Sequence, residues 1–180
     1  MRKICTFILL VLTLFMSGTV AQAIQGRWYH ASGEFKTYIQ PNHKYSVMMK
    51  HGFQEWQRVT KQRFKFRFVT NDKTADFRVY FVKKIDKNRF PDLDRAIGVT
   101  RTMYRGKKIY KATIWIADRT QDNRTLSRDE VYTTMLHEIG HGLGLNHVNE
   151  RDSIMYPQAD VRLEISRRDL RTLAKMYRWY

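Results

Sequence analysis

The chain is poor in the residues that staple or interrupt a fold. Among 180 residues it has one cysteine, three prolines, nine glycines, and only 17 acidic side chains against 33 basic ones. The cysteine is Cys5, inside an N-terminal leader, so once the leader is removed no thiol remains. That excludes a disulfide framework and a cysteine nucleophile, and leaves stability to a buried apolar core. No GxSxG is present, which removes the serine-hydrolase elbow. No apolar run reaches the ~20 residues of a membrane-spanning helix. The longest, Ile4 to Met16, follows Arg2 and Lys3 and precedes Ser17, Gly18 and Ala21-Gln22-Ala23. This is the pattern of a secretory signal peptide over residues 1–23, cleaved after Ala23. The mature chain is then secreted, into the periplasm where an outer membrane exists, and keeps no membrane span.

Removing Arg2 and Lys3 leaves 31 basic residues against 17 acidic ones, a net charge of +14. Such a surface favours nucleic acid, an anionic surface or polymer, or acidic protein. The basic residues are scattered rather than blocked, so a soluble basic exterior without a dedicated partner fits equally well. Residues 24–180 have the size of one domain and show no repeat, low-complexity tract or linker.

The chemistry is concentrated in HEIGHGLGLNHVNERDSIM, from His137 to Met155. His137 and His141 are four residues apart and project from one helix face, the spacing that lets two imidazoles hold one ion. Glu138 lies about 100° round the same helix, placed to touch a water on the ion rather than to ligate. Gly142 and Gly144 let the helix stop where a positive φ costs little, so that the chain turns and His147 returns to the ion. Three neutral nitrogens leave one tetrahedral position for water, the arrangement of a catalytic zinc site.

These residues resemble the metzincins, zinc peptidases marked by HExxHxxGxxH followed by a methionine turn. Here the pattern falls on His137, Glu138, His141, Gly144 and His147, with Met155 in SIMYP as the Met-turn. HEIGHGLGLNH and IMYP are most similar to the matrixins. The resemblance implies an α+β, zincin-like catalytic domain: a twisted mixed sheet with a long N-terminal helix, an active-site zinc helix and a C-terminal helix. It implies one catalytic zinc, Met155 as a hydrophobic floor under the histidines, and a polypeptide substrate. It further implies that the strand before the zinc helix is the sheet edge. Backbone groups of Thr113, Ile114, Trp115 and Ile116 would then bind substrate by strand addition, with Tyr156 and Pro157 beside the pocket for the residue after the cut. Three positions depart from the matrixin pattern: Val148 replaces the usual serine, Gln158-Ala159 follow Pro157 without the usual tyrosine, and no cysteine-switch segment exists. Tyr156 is adjacent to Met155, so an astacin-type tyrosine ligand is not carried over.

The remaining elements follow from periodicity. Gly26 to Gly33 reads as an irregular arm and Glu34 to Gln40 as a strand. Lys44 to Thr60 reads as a helix whose face is Val47, Met48, Phe53, Trp56 and Val59, mildly interrupted by Gly52. Phe64 to Phe68 and Ala75 to Val82 alternate as strands, followed by Ile97 to Tyr104 and Lys108 to Ala117. FQEWQRVT and ADFRVYF are again similar to the first half of a matrixin domain. The loop from Lys83 to Arg95 has no histidine for the structural zinc that matrixins carry there. Calcium on Asp86, Asp92 and Asp94 is the minority reading, because hard cations need six or more oxygens in a shaped loop. Ser127 with Glu130, and Ser166 with Asp169, mark the starts of the zinc helix and the last helix. The reaction expected is hydrolysis of a peptide bond with Glu138 as general base. A basic binding module on a catalytically weak scaffold, aimed at an anionic surface, is the alternative from another class.

Overall fold

The computed structural model describes residues 26–29, 33–91, 93, 95–157, 161 and 164–179. The leader, Asp92, Asp94, Gln158 and Ala159 lie outside the described residues. In chain order the elements are β1 (Arg27–Trp28), β2 (Gly33–Ile39), α1 (Ser46–Val59), β3 (Phe64–Val69), β4 (Phe77–Val82), β5 (Gly98–Arg105), β6 (Lys108–Ala117), α2 (Arg128–Gly142) and α3 (Arg167–Tyr177). The α+β architecture with a mixed sheet expected from the sequence is present, and the described residues form one six-stranded sheet and three helices.

Strict alternation in FRVYF and KATIWI sorts these strands into two faces. Phe77, Val79, Ala112, Ile114 and Ile116 are fully buried and share one core with α1, α2 and α3. Arg78, Tyr80, Thr113 and Trp115 occupy the opposite face, in register across β4 and β6. Parallel neighbours require crossover connections. α1 supplies the one between β2 and β3, and β4 then adds parallel to the other side of β2. β5 and β6 instead form an antiparallel hairpin that turns at Gly106, whose φ of +59° suits glycine.

β6 is where the structure corrects the sequence reading. Its residues 108–109 pair with β1 and residues 112–117 with β4, while β5 runs along its other side from Gly98↔Ile116 to Arg105↔Lys108. Thr113, Ile114, Trp115 and Ile116 are therefore internal, and their backbone groups cannot take a substrate strand. The edge is β5. The physical reason lies in burial on both faces: Ile114 to Ala117 is a continuous apolar run at 9% exposure or less, the mark of a central strand, whereas β5 carries Arg101, Met103, Tyr104 and Arg105 exposed.

Two further readings shift. Arg27–Trp28 is a short strand rather than irregular arm, held because Trp28 stacks on Phe77 at 4.9 Å and its indole N–H donates to the Gly142 carbonyl at 2.7 Å. The buried face of α1 is Met49, Gly52, Phe53 and Trp56, while Val47 is 63% exposed. Gly52 is the point of closest approach to α2, since a Cβ there would lie 3.2 Å from Ile139 Cδ1. It permits helix packing instead of interrupting the helix.

Candidate metal centre

α2 begins where the sequence places it. Ser127 accepts from the Glu130 N–H at 3.1 Å and Glu130 accepts from the Ser127 N–H at 2.7 Å, a reciprocal capping box. Val131, Met135 and Ile139 are fully buried and set the rotation of the helix, so His137 and His141 emerge together on its other side. The helix ends at Gly142, and its last carbonyls are satisfied from outside. Trp28 donates to Gly142 O, and the Tyr177 hydroxyl donates to Leu143 O at 2.9 Å. Gly144 then takes a φ of +99°, with no room for a side chain: a Cβ would stand 2.2 Å from the Gly26 carbonyl oxygen. Gly144→Ala is accordingly expected to cost at least about 2 kcal/mol and to displace the turn that carries His147, seen as a lower Tm together with weaker zinc binding.

His137, His141 and His147 are brought together as the sequence reading requires, and their donor atoms lie within 4.8 Å of one another. The His147 Nε2 is 3.1 Å from the Nε2 of both His137 and His141. The Nδ1–H of His137 donates to Ile154 O at 2.7 Å and that of His141 to Leu145 O at 2.8 Å. A carbonyl only accepts, so each of these rings carries its proton on Nδ1 and turns an Nε2 lone pair toward its neighbours. Two lone pairs thus converge on the His147 Nε2, and a proton or a cation must lie between the nitrogens. Nitrogens bound at 2.0–2.1 Å in a tetrahedron are about 3.3 Å apart, close to the spacing here. The donor set therefore fits zinc, with three protein nitrogens of which His147 is the solvent-exposed one.

Burial keeps the rings neutral. It lowers the His137 pKa to about 4 and that of His141 to about 3, the latter with help from the neighbouring imidazoles, and it lowers His147 as well. The folded state thus binds fewer protons than the unfolded chain. The corresponding stability is complete above about pH 6.5 and is lost as pH falls through the folded values, at about 1.4 kcal/mol for each pH unit for each of His137 and His141, and less for the exposed His147. Thermal melts of the chelator-treated protein should show Tm dropping on that acid limb, and His141→Gln should flatten the slope. An unchanged slope would mean that the rings are not desolvated.

Glu138 is 5% exposed, and burial pushes its pKa up to about 7 against the lowering effect of a hydrogen bond from Thr100. The Thr100 hydroxyl lies 2.6 Å from Glu138 Oε2 and 2.9 Å from the Glu138 backbone oxygen. Gly98, two residues earlier, allows the carboxylate in, since a Cβ there would lie 2.9 Å from Oε1. Thr100 and Gly98 were not among the residues read from sequence. Nothing local signals them; they reach Glu138 only because β5 is the strand beside α2.

Met155 is 1% exposed and sits under α2, where a Cβ on Gly140 would be 2.5 Å from its Sδ. The turn bearing it is tied to α3 by Asp169, which the sequence reading used only as a helix cap. Asp169 accepts from the Ser153 hydroxyl, from the Ile154 N–H at 3.2 Å, and from the N–H and hydroxyl of Ser166 at 2.9 and 2.7 Å. Because Ile154 O receives the His137 Nδ1–H, one buried carboxylate positions the turn that orients a metal-facing ring. Tyr156 is half-buried and Pro157 exposed, on the chain just beyond Met155. Asp86 accepts from the Asn88 N–H at 2.9 Å within its own loop. The family model described as Matrixin, Peptidase_M10, matches residues 29–178.

Proposed function

The chain belongs to the matrixin family of zinc metallopeptidases, and on that premise we propose that it is a secreted zinc-dependent endopeptidase with Glu138 as its general base. The observation that carries the reading is the convergence of three histidine Nε2 atoms, with a buried carboxylate next to the first of them on the same helix. His137, His141 and His147 would hold the zinc, which supplies Lewis acidity, lowering the pKa of a water and polarising the scissile carbonyl. The buried Glu138 carboxylate would accept a proton from that water and return it to the leaving amine. Thr100 holds the carboxylate by one oxygen and leaves the other for the proton.

The substrate would lie along β5. Its outer edge has no strand partner among the described residues, and an extended polypeptide can add there through main-chain hydrogen bonds. Gly98 and Thr100 of that strand touch Glu138, so a peptide on this edge passes the base. Secretion is supported by Arg2-Lys3, the apolar run and Ala21-Gln22-Ala23. No helix among the described residues is long and apolar enough to cross a membrane.

Residues 24–180, loaded with zinc, should cut a mixed-peptide library, and the cuts should disappear on chelation and return with added zinc. Absence of any cut at confirmed zinc stoichiometry would overturn the endopeptidase reading.

A further inference from the structure

On the sheet face opposite the zinc helix lies a cleft of about 640 Å³ whose walls include Arg78, Arg89, Arg101, Tyr80, Thr113 and Trp115. The pairing register builds it. Arg78 and Arg101 both stand opposite Thr113, one from β4 and one from β5, so two guanidinium groups flank one small hydroxyl residue. Arg89 reaches over from the loop after β4 and stacks on the Trp115 ring at 4.4 Å, which fixes a third positive group at the wall. Among the described residues no carboxylate is ion-paired with any of the three. Asp72 accepts from the Tyr80 hydroxyl at 2.7 Å, and Arg78 donates through Nη2 to the Lys73 carbonyl at 3.0 Å while its buried Nε has no hydrogen-bond partner.

We propose that this cleft selects acidic polypeptides, its arginines pairing with carboxylates of a substrate bound along β5. The inference rests on the endopeptidase reading and deepens it. β5 serves both surfaces through its pleat: Thr100 points to Glu138 on the inner face, and Arg101 points into the cleft on the outer face. A polypeptide added to the β5 edge has the same two-residue alternation. The side chains flanking each inward-pointing residue therefore project over the outer face, at cross-strand distance from Arg101. Opposite charges at such positions attract and like charges repel. Arg78 and Arg89 extend the positive wall beyond the first contact, so a side chain of glutamate length, or a second acidic residue two positions on, finds a partner. A polypeptide is favoured over other polyanions because β5, which lines the cleft, has no strand partner on its outer side among the described residues.

The test uses two peptides that share one cleavable core and carry either Glu or Gln at the outward positions. With the zinc-loaded chain, the Glu peptide should show a KM lower by about fivefold with kcat little changed. The ratio should collapse toward one in Arg89→Gln/Arg101→Gln, and should also shrink as salt rises above about 0.1 M. Equal KM values, or a preference that survives in the variant, would overturn the proposal. Binding is read separately with the uncleaving Glu138→Ala chain, through the fluorescence response of Trp115 to each peptide and to polygalacturonate. A response to the Glu peptide that is lost in the arginine variant supports the proposal even if no peptide is ever cut, in which case the endopeptidase reading alone fails. A response to the polysaccharide and none to the Glu peptide assigns the cleft to another polyanion and overturns it.

Discussion

Glu138→Ala is expected to lower kcat for peptide hydrolysis by about 10²–10⁴-fold at unchanged zinc content. The three nitrogens that fit the ion belong to other residues, and Glu138 Oε2 is held by the Thr100 hydroxyl. A loss of zinc in the variant would instead make Glu138 part of the metal-holding framework, and retention of kcat would remove it as the base. Glu138→Gln supplies an independent readout in the chelator-treated protein. Burial raises the wild-type carboxyl from 4.5 to about 7, so the folded state binds its proton more tightly than the unfolded chain. The stability that this contributes is complete below about pH 4.5 and is lost as pH rises through about 7. Glu138→Gln should therefore gain Tm relative to wild type on going from about pH 5 to about pH 8. An equal Tm difference at both ends would show a solvated carboxylate.

Asp169→Ala should be the most damaging substitution away from the metal ligands. It removes an acceptor that is 3% exposed and leaves the buried Ser153 O–H and Ile154 N–H without an acceptor, although the Ser153 oxygen still accepts from the Met155 N–H at 2.9 Å. Breaking such a charged, buried network costs about 3–5 kcal/mol, which for a domain of this size is a Tm loss of roughly 10 °C. The same turn holds the His137 ring through Ile154 O, so zinc affinity should fall by about 10–100-fold. Ser166→Ala is the comparison: it removes the helix cap but not the link to Ile154, and should cost only about 1 kcal/mol with zinc affinity nearly intact. If both variants lose zinc equally, the effect is general loosening of α3 rather than positioning of the turn.

The legible parts of this protein are those in which chemistry and local geometry coincide. His137 and His141 needed only a helical repeat to face one way, and Gly144 needed only a turn that other residues resist. Ser127 and Ser166 marked two helix starts because a capping box is complete within four residues. The alternation of Phe64, Phe77, Val79 and Phe81 was enough to assign the strands that carry them. The face of α1 was less legible, because its apolar residues outnumber the positions that one face can bury. Gly52, taken as an interruption, turned out to be the contact with Ile139.

What the sequence by itself determined is the metal-facing triad, the carboxylate beside it, the elements and their approximate bounds, since each rests on spacings of about three helical turns or fewer. What only the tertiary structure decided is which strand forms the edge, which residues touch Glu138, and which acidic group holds the Met-turn. Thr100 lies 38 residues from Glu138, and Asp169 lies 16 from Ser153. Contacts of that range depend on strand order and on how helices dock, and no periodicity along the chain records them. The edge itself was misassigned because the order of strands is set by competition for burial on two faces. The apolar run from Ile114 to Ala117 wins an interior place, and the arginine-bearing β5 is left outside, where one face meets Glu138 and the other presents Arg101.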